Sequence, residues 1–166
     1  YDRLVGSEMC IRDRLETGSK VQEFTIATDR GHFTLSDYRG KNVVVFFFPR
    51  ADTSGCTKEA ISFTNLLAEF DAANTVVIGI SKDTPAKQAK FRAKHSLECI
   101  LGADNETNIC EQFGVWFEKS MYGKSYMGIE RSTFLIDPDG KVTKVWRKVK
   151  IPGHAEDVLA QVQAGG

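Results

Sequence analysis

A mixed β-sheet with helices on both faces is the fold class predicted by three features of this 166-residue sequence. Two apolar runs without alternation, 43–48 and 75–80, are each followed by helical spacing, the order expected of parallel strands joined by crossover helices. Two short strands about Asp137-Pro138-Asp139-Gly140 and a closing amphipathic helix add antiparallel neighbours to that sheet. Hydrophobic residues make up 42% of the chain and charged ones 27%, which suits one ordinary domain with a sizeable core.

The chain opens on residues 1–14, with three arginines and three acidic side chains, no apolar stretch of signal-peptide length and no pattern tying them to a core. They read as a non-native or disordered segment, the alternative being a short arm that packs on a partner. Cys10 is therefore set aside, and residues 15–166 form the domain. Phe24 and Ile26, then Phe33 and Leu35, alternate with polar residues about Thr28-Asp29-Arg30-Gly31, the signature of a hairpin with one buried face. The run 43–48, rich in β-branched and aromatic residues, reads as a central strand buried on both faces. Across 56–71, Ala60, Phe63, Leu67 and Phe70 recur at helical spacing. After the second apolar run, Asp83-Thr84-Pro85 supplies capping groups and a first-turn proline for a helix to about His95. A short strand near 99–101, a helix near 105–113 and strands at 133–136 and 142–146 follow. In the last helix, 154–163, Ala155, Val158, Leu159 and Val162 share a face.

Composition removes several function classes. Twenty-two basic and twenty-two acidic side chains leave no net field to favour nucleic acid or an anionic membrane. The longest apolar run is far short of the roughly 20 residues that span a bilayer. Four cysteines without a C-x-x-C pair fit neither a zinc ribbon nor a disulfide scaffold, and His32, His95 and His154 fall in no metal-ligand spacing, so no metal site is expected. The basic run 141–150 with Trp146 could contact nucleic acid, but lysines also blunt an exposed sheet edge, and that is the reading taken.

The stretch that can carry chemistry is Pro49-Arg50-Ala51-Asp52-Thr53-Ser54-Gly55-Cys56, where a cysteine opens a helix after a buried strand and a loop. Free backbone N–H groups and the positive end of the helix dipole stabilise a thiolate there, and the thiolate is the reactive form. Placement alone is equally consistent with a small buried cysteine that only packs.

The spacing Pro49-x-x-x-Thr53-x-x-Cys56 resembles the active-site pattern of the peroxiredoxins. The segments Gly55-Cys56-Thr57-Lys58-Glu59-Ala60, Cys110-Glu111-Gln112-Phe113-Gly114-Val115-Trp116 and Arg131-Ser132-Thr133-Phe134-Leu135-Ile136-Asp137 are similar to the bacterioferritin comigratory protein, or Q-type, subfamily of the AhpC/TSA superfamily. The resemblance implies a thioredoxin-like fold and a cysteine-dependent peroxidase without metal, haem or flavin. It implies hydrogen peroxide and organic hydroperoxides as substrates, and thioredoxin or a small thiol as reductant. Cys56 would attack as thiolate and become a sulfenic acid. Arg131 would sit beside the sulfur and hold the peroxide oxygens. Thr53 would offer its hydroxyl to sulfur or peroxide, and Pro49 would end the strand and shield the sulfur from water. Glu59, one turn into the helix, would complement the dipole and orient Arg131 or a neighbouring side chain. A cytoplasmic monomer or weak homodimer completes the expectation.

One departure from the pattern bears on mechanism. Many subfamily members carry a resolving cysteine five residues after the first, where this chain has Ile61. Cys99 and Cys110 remain as candidate resolving thiols, beside a one-cysteine mechanism in which an external thiol reduces the Cys56 sulfenic acid. Two other functions compete on the same fold. A disulfide oxidoreductase is disfavoured by the missing C-x-x-C, and a redox-sensing or chaperone-like binding module leaves the coincidence of Thr53, Cys56 and Arg131 without a reason.

Overall fold

The apolar run at 43–48 supplies an interior strand of a seven-stranded sheet in a computed structural model that describes residues 17–21, 23–49, 54–105, 107–121, 123–147, 149–150 and 153–164. The N-terminal segment 1–14 with Cys10, and also Thr53, lie outside the described residues. The strands of the sheet are β1 (Thr25–Thr28), β2 (Gly31–Thr34), β3 (Asn42–Phe47), β4 (Thr75–Ser81), β5 (Ile100–Ala103), β8 (Ser132–Ile136) and β9 (Val142–Trp146). Their order is β2-β1-β5-β4-β3-β8-β9. A separate two-stranded sheet joins β6 (Trp116–Met121) to β7 (Lys124–Ile129). The helices are α1 (Ser54–Asn65), α2 (Leu67–Ala72), α3 (Pro85–His95), α4 (Ile109–Gln112) and α5 (His154–Gln163), with a 3-10 turn at Leu35–Tyr38.

Because β3 is covered on both faces, its successive side chains feed two different cores. Val44, Phe46 and Phe48 pack with Cys56, Ala60 and Phe63 of α1, Phe70 of α2, Phe91 of α3 and Val158 of α5. Val43, Val45 and Phe47 pack on the other side with Phe24, Phe33, Ile109, Cys110, Phe113 and Phe134. The layers are unequal: α1, α2, α3 and α5 share one face, and the other is closed by the short α4, the 3-10 turn and the chain leading into the first hairpin. Close approach on the α1 side requires Gly79, which pairs with Phe46 across β3 and β4. A Cβ there would meet the Phe46 ring at 2.5 Å. That ring in turn stacks on Phe63 of α1, with centroids 4.6 Å apart and planes inclined by 12°.

Several sequence expectations are realised with clear physical causes. Thr84 accepts a hydrogen bond from the Lys87 amide at 3.2 Å and Pro85 opens α3, which ends on Ser96 in the left-handed region. Inside the protein, Gln88 of α3 donates to Ser81 Oγ and to the Gly102 carbonyl, tying the helix to β4 and β5. Arg92 reaches the Asp29 carboxylate through two nitrogens, at 2.6 and 3.1 Å, and fastens α3 to the first hairpin. The basic 141–150 run includes β9, the last strand of the sheet order, as a sheet-edge reading requires.

Two expectations need correction and one element is new. The helix predicted over 56–71 begins at Ser54 and is broken at Leu66, whose amide bonds to the Phe63 carbonyl in a tightened turn before α2 starts. The helix predicted near 105–113 shrinks to Ile109–Gln112, because Asp104 accepts from the Ile109 and Cys110 amides and sets the helix start there. The β6–β7 hairpin was not foreseen, since its mixed polar and apolar residues present neither a continuous apolar run nor a turn of strong preference.

Candidate active site

Topology explains how residues 75 positions apart meet. Strand β3 runs toward Pro49, and its antiparallel neighbour β8 begins where β3 ends, with Ser132 opposite Phe47. Arg131 therefore leaves the sheet beside the start of α1. Its main chain is held there by a hydrogen bond from the Val149 amide to the Arg131 carbonyl at 2.9 Å.

Cys56, the third residue of α1, is wholly buried. Arg131 donates through Nη2 to Cys56 Sγ at 3.2 Å and through Nη1 to Glu59 Oε1 at 2.7 Å. One guanidinium thus bridges a sulfur and a carboxylate that lie one turn apart on the same helix. Burial works against the charge of Arg131, but the Cys56 sulfur and the Glu59 carboxylate outweigh it and hold the guanidinium above its usual range. Glu59 is 1% exposed, and burial pushes it up to about 7 even though Arg131 and its hydrogen bond pull the other way. Its second oxygen, Oε2, has no hydrogen-bond partner among the described residues. Pro49 is exposed just beyond the end of β3.

His154, the first residue of α5 as its sequence position suggested, also stands in this region, where sequence reading assigned it no partner. It is 5% exposed, with Nε2 2.7 Å from Thr133 Oγ1, two residues along β8 from Arg131. Phe63 and Trp146 meet its ring edge-on. Burial pushes its pKa down to about 4, against Asp157 and Glu156 and with a further push from Arg131. The available signal was its spacing of four from Val158 and eight from Val162, which puts His154 on the buried face of the helix.

Neither candidate resolving thiol is brought to Cys56. Cys99 is buried against Thr64, whose hydroxyl lies 3.9 Å from the sulfur. Thr64 is eight residues along α1 from Cys56, a rise of about 12 Å, so the Cys99 sulfur packs beside the helix about two turns on from Cys56. Cys110 belongs to the core on the opposite face of the sheet. Burial pushes the Cys99 thiol up to about 11, and burial with the adjacent Asp104 carboxylate pushes Cys110 up as well. Among the described residues, no group of three or more His, Cys, Asp or Glu side chains is placed to hold a metal ion, and no helix is long and apolar enough to cross a membrane.

A bridged thiol at a helix start is the arrangement that stabilises a reactive thiolate, and known proteins share both the sequence and the fold around it. The AhpC/TSA family profile matches residues 17–145. Peroxiredoxin Bcp of Bacillus subtilis is 44% identical over 146 residues, which is 87% of this chain and 93% of that protein. Peroxiredoxin Bcp of Escherichia coli K12 is 40% identical over 146 residues, again 87% of this chain and 94% of that protein. Among solved structures, the bacterioferritin comigratory protein of Xanthomonas campestris superposes with a TM-score of 0.81 at 40% identity, covering 86% of this chain and 91% of that one. A PrxQ mutant from Xylella fastidiosa gives a TM-score of 0.86 at 35% identity, covering 92% and 98%. Sequence, thioredoxin-like fold and a thiol at the helix start agree, and the chain belongs to the AhpC/TSA family as a peroxiredoxin.

Proposed function

We propose that Cys56 is the thiol that reduces the peroxide, and that the enzyme works with one cysteine. In the first step the Cys56 thiolate attacks the terminal oxygen of a hydroperoxide, the S–O bond forms as the O–O bond breaks, and the alkoxide leaves and is protonated to alcohol or water. An external thiol then displaces water from the sulfenic acid to give a mixed disulfide, and a second thiol releases Cys56 with formation of the external disulfide. Arg131 supports both parts of the first step. Its fixed cation favours the charged sulfur, and its planar fork offers donors to the oxygens between which negative charge moves. Thr53 would add a hydroxyl donor to the same place, and Pro49 would terminate the strand that delivers the loop.

The observation that carries this reading is the single guanidinium in contact with both Cys56 Sγ and Glu59 Oε1 at the start of α1. The one-cysteine route is supported by the packing of Cys99 against Thr64, eight residues along α1 from Cys56, and by the position of Cys110 across the sheet. Organic hydroperoxides belong to the expected substrates, as alkyl peroxide reduction is described for the similar Xanthomonas campestris protein. The reductant is thioredoxin or a small thiol, in a cytoplasmic setting that keeps the three buried cysteines as free thiols. The protein works as a monomer or weak homodimer. The test follows peroxide consumption with dithiothreitol or thioredoxin for the wild type and Cys56→Ser. Loss of turnover in a variant with unchanged circular dichroism supports the assignment, and retained turnover overturns it.

A further inference from the structure

The buried trio of Cys56, Arg131 and Glu59 raises a question of charge. Two groups that become anions face one cation, in a place where Cys56 is 0% exposed and Glu59 1% exposed. With both Cys56 and Glu59 ionised the trio carries a net negative charge that little solvent screens, and the two anions compete for one guanidinium. With one proton on Glu59 the trio is neutral while the sulfur is still a thiolate. Resting on the assignment of Cys56 as the attacking thiol, we propose that Glu59 is a neutral carboxylic acid in the peroxide-reactive enzyme and holds on Oε2 the proton given up by the Cys56 thiol.

Geometry supports this placement. Oε1 is the oxygen that accepts from Arg131 Nη1 at 2.7 Å, an interaction available to the carbonyl oxygen of a neutral acid. Oε2 is buried with no partner among the described residues, an unfavourable place for a carboxylate oxygen and a less costly one for a hydroxyl. The groups facing Glu59 among the described residues are Cys56 on its own helix and Arg131 at the head of β8. Behind Arg131 stands His154 of α5, kept neutral at ordinary pH by its burial. No second cation among them offsets a second anion. Burial pushes Glu59 up to about 7, so the carboxyl keeps its proton up to about that pH.

The proton count balances. Moving the proton from Cys56 to Glu59 converts thiol and carboxylate into thiolate and carboxylic acid with no change in net charge. Attack on the peroxide then yields sulfenic acid and an alkoxide. The alkoxide takes up one proton, Glu59 returns to the carboxylate, and the sum is thiol plus hydroperoxide giving sulfenic acid plus alcohol. Glu59 acts through Arg131 and the proton inventory, so it is a positioning residue whose signature is the pH profile.

The experiment measures the single-turnover rate of the reduced enzyme with hydrogen peroxide from pH 5 to pH 9, for wild type and Glu59→Gln. The expected wild-type profile falls above about pH 7, approaching about tenfold per pH unit, as Glu59 ionises and draws Arg131 from the sulfur. In Glu59→Gln that alkaline limb is absent, whatever the amplitude of the remaining rate. A wild-type rate that rises to a plateau, or an alkaline limb that persists in the variant, overturns the proposal. A second measurement needs no variant: infrared difference spectra of the reduced wild type, with the glutamates labelled by carbon-13, recorded across the same pH range. A label-sensitive carboxylic C=O band that disappears near pH 7 is expected, and its absence sinks the idea. Should the wild type consume no peroxide, the functional reading fails, while the infrared titration of the resting enzyme still decides the protonation of Glu59.

Discussion

Gly79→Ala tests whether the packing beneath α1 is as exacting as the structure indicates. A Cβ on residue 79 would lie 2.5, 2.8 and 3.0 Å from Cζ, Cε2 and Cε1 of Phe46, whereas carbon atoms pack at about 3.5–4.0 Å. The ring must therefore move by roughly 1 Å or more, and it has no free side to move toward. Phe46 is 0% exposed, stacked on Phe63 at 4.6 Å and tilted against Phe48 at 5.9 Å. Overpacking of this kind costs about 1–3 kcal/mol, and the upper half of that range applies because the clash involves three atoms of a rigid ring. For a chain of this length the same cost lowers Tm by about 5–10 °C. Urea unfolding followed by circular dichroism reads the change in midpoint, and Phe46→Leu in the Gly79→Ala background should recover part of it, a coupling of opposite sign to the single losses. The displaced ring pushes on Phe63, two turns along α1 from Cys56, so the peroxide reaction should slow together with the loss of stability. A Gly79→Ala protein within about 0.5 kcal/mol of wild type, the scale of an unconstrained surface change, would refute the packing argument.

Arg131→Met removes a charged donor from Cys56 and Glu59 at once, and the loss of a charge-assisted hydrogen bond, about 1.5–3 kcal/mol, corresponds to a roughly 10- to 150-fold slower peroxide reaction. Stopped-flow kinetics with hydrogen peroxide would defeat the proposed contact by showing an unchanged rate. Cys99→Ser and Cys110→Ser should each retain peroxide turnover with dithiothreitol, and intact mass after one equivalent of peroxide should show Cys56 sulfenic acid. A quantitative internal disulfide lost in either variant would refute the one-cysteine route. His154 is held at about 4 in the folded state against an ordinary 6.5, so its contribution to stability is complete above pH 6.5 and is lost as the pH falls through about 4. The full effect is at most about 3 kcal/mol. Glu59, raised from 4.5 to about 7, acts oppositely: its contribution is present below pH 4.5 and lost as the pH rises through about 7. Urea midpoints of wild type and His154→Gln between pH 4 and pH 7 isolate the histidine. The gap between them should narrow toward low pH, and a constant gap would contradict the burial argument.

Much of the molecule was determined along the chain by short-range chemistry. A β-branched and aromatic run such as 43–48 cannot expose either face, so its interior place in the sheet follows from its residues alone. The capping of α3 is equally local: Thr84 and Pro85 satisfy or remove the amides that a helix start leaves free. Cys56 at the opening of a helix after such a strand was legible for the same reason, and with it the family pattern. Leu66, by contrast, broke a helix whose apolar spacing ran on past it, because tertiary packing overrode the local period. What periodicity could not decide is which distant groups share one environment. Arg131 stands beside Cys56 because β8 pairs antiparallel with β3 in the register that sets Ser132 opposite Phe47, a choice made by packing two cores against one sheet. The same choice sends Cys110 to the far face and leaves Cys99 beside Thr64, two turns along α1 from Cys56, so cysteines that sequence treats alike become unequal. The titration of Glu59 and of His154 belongs wholly to the tertiary structure. A carboxyl or an imidazole takes its charge from the solvent it loses and the ions it faces, and neither is written in the residues beside it.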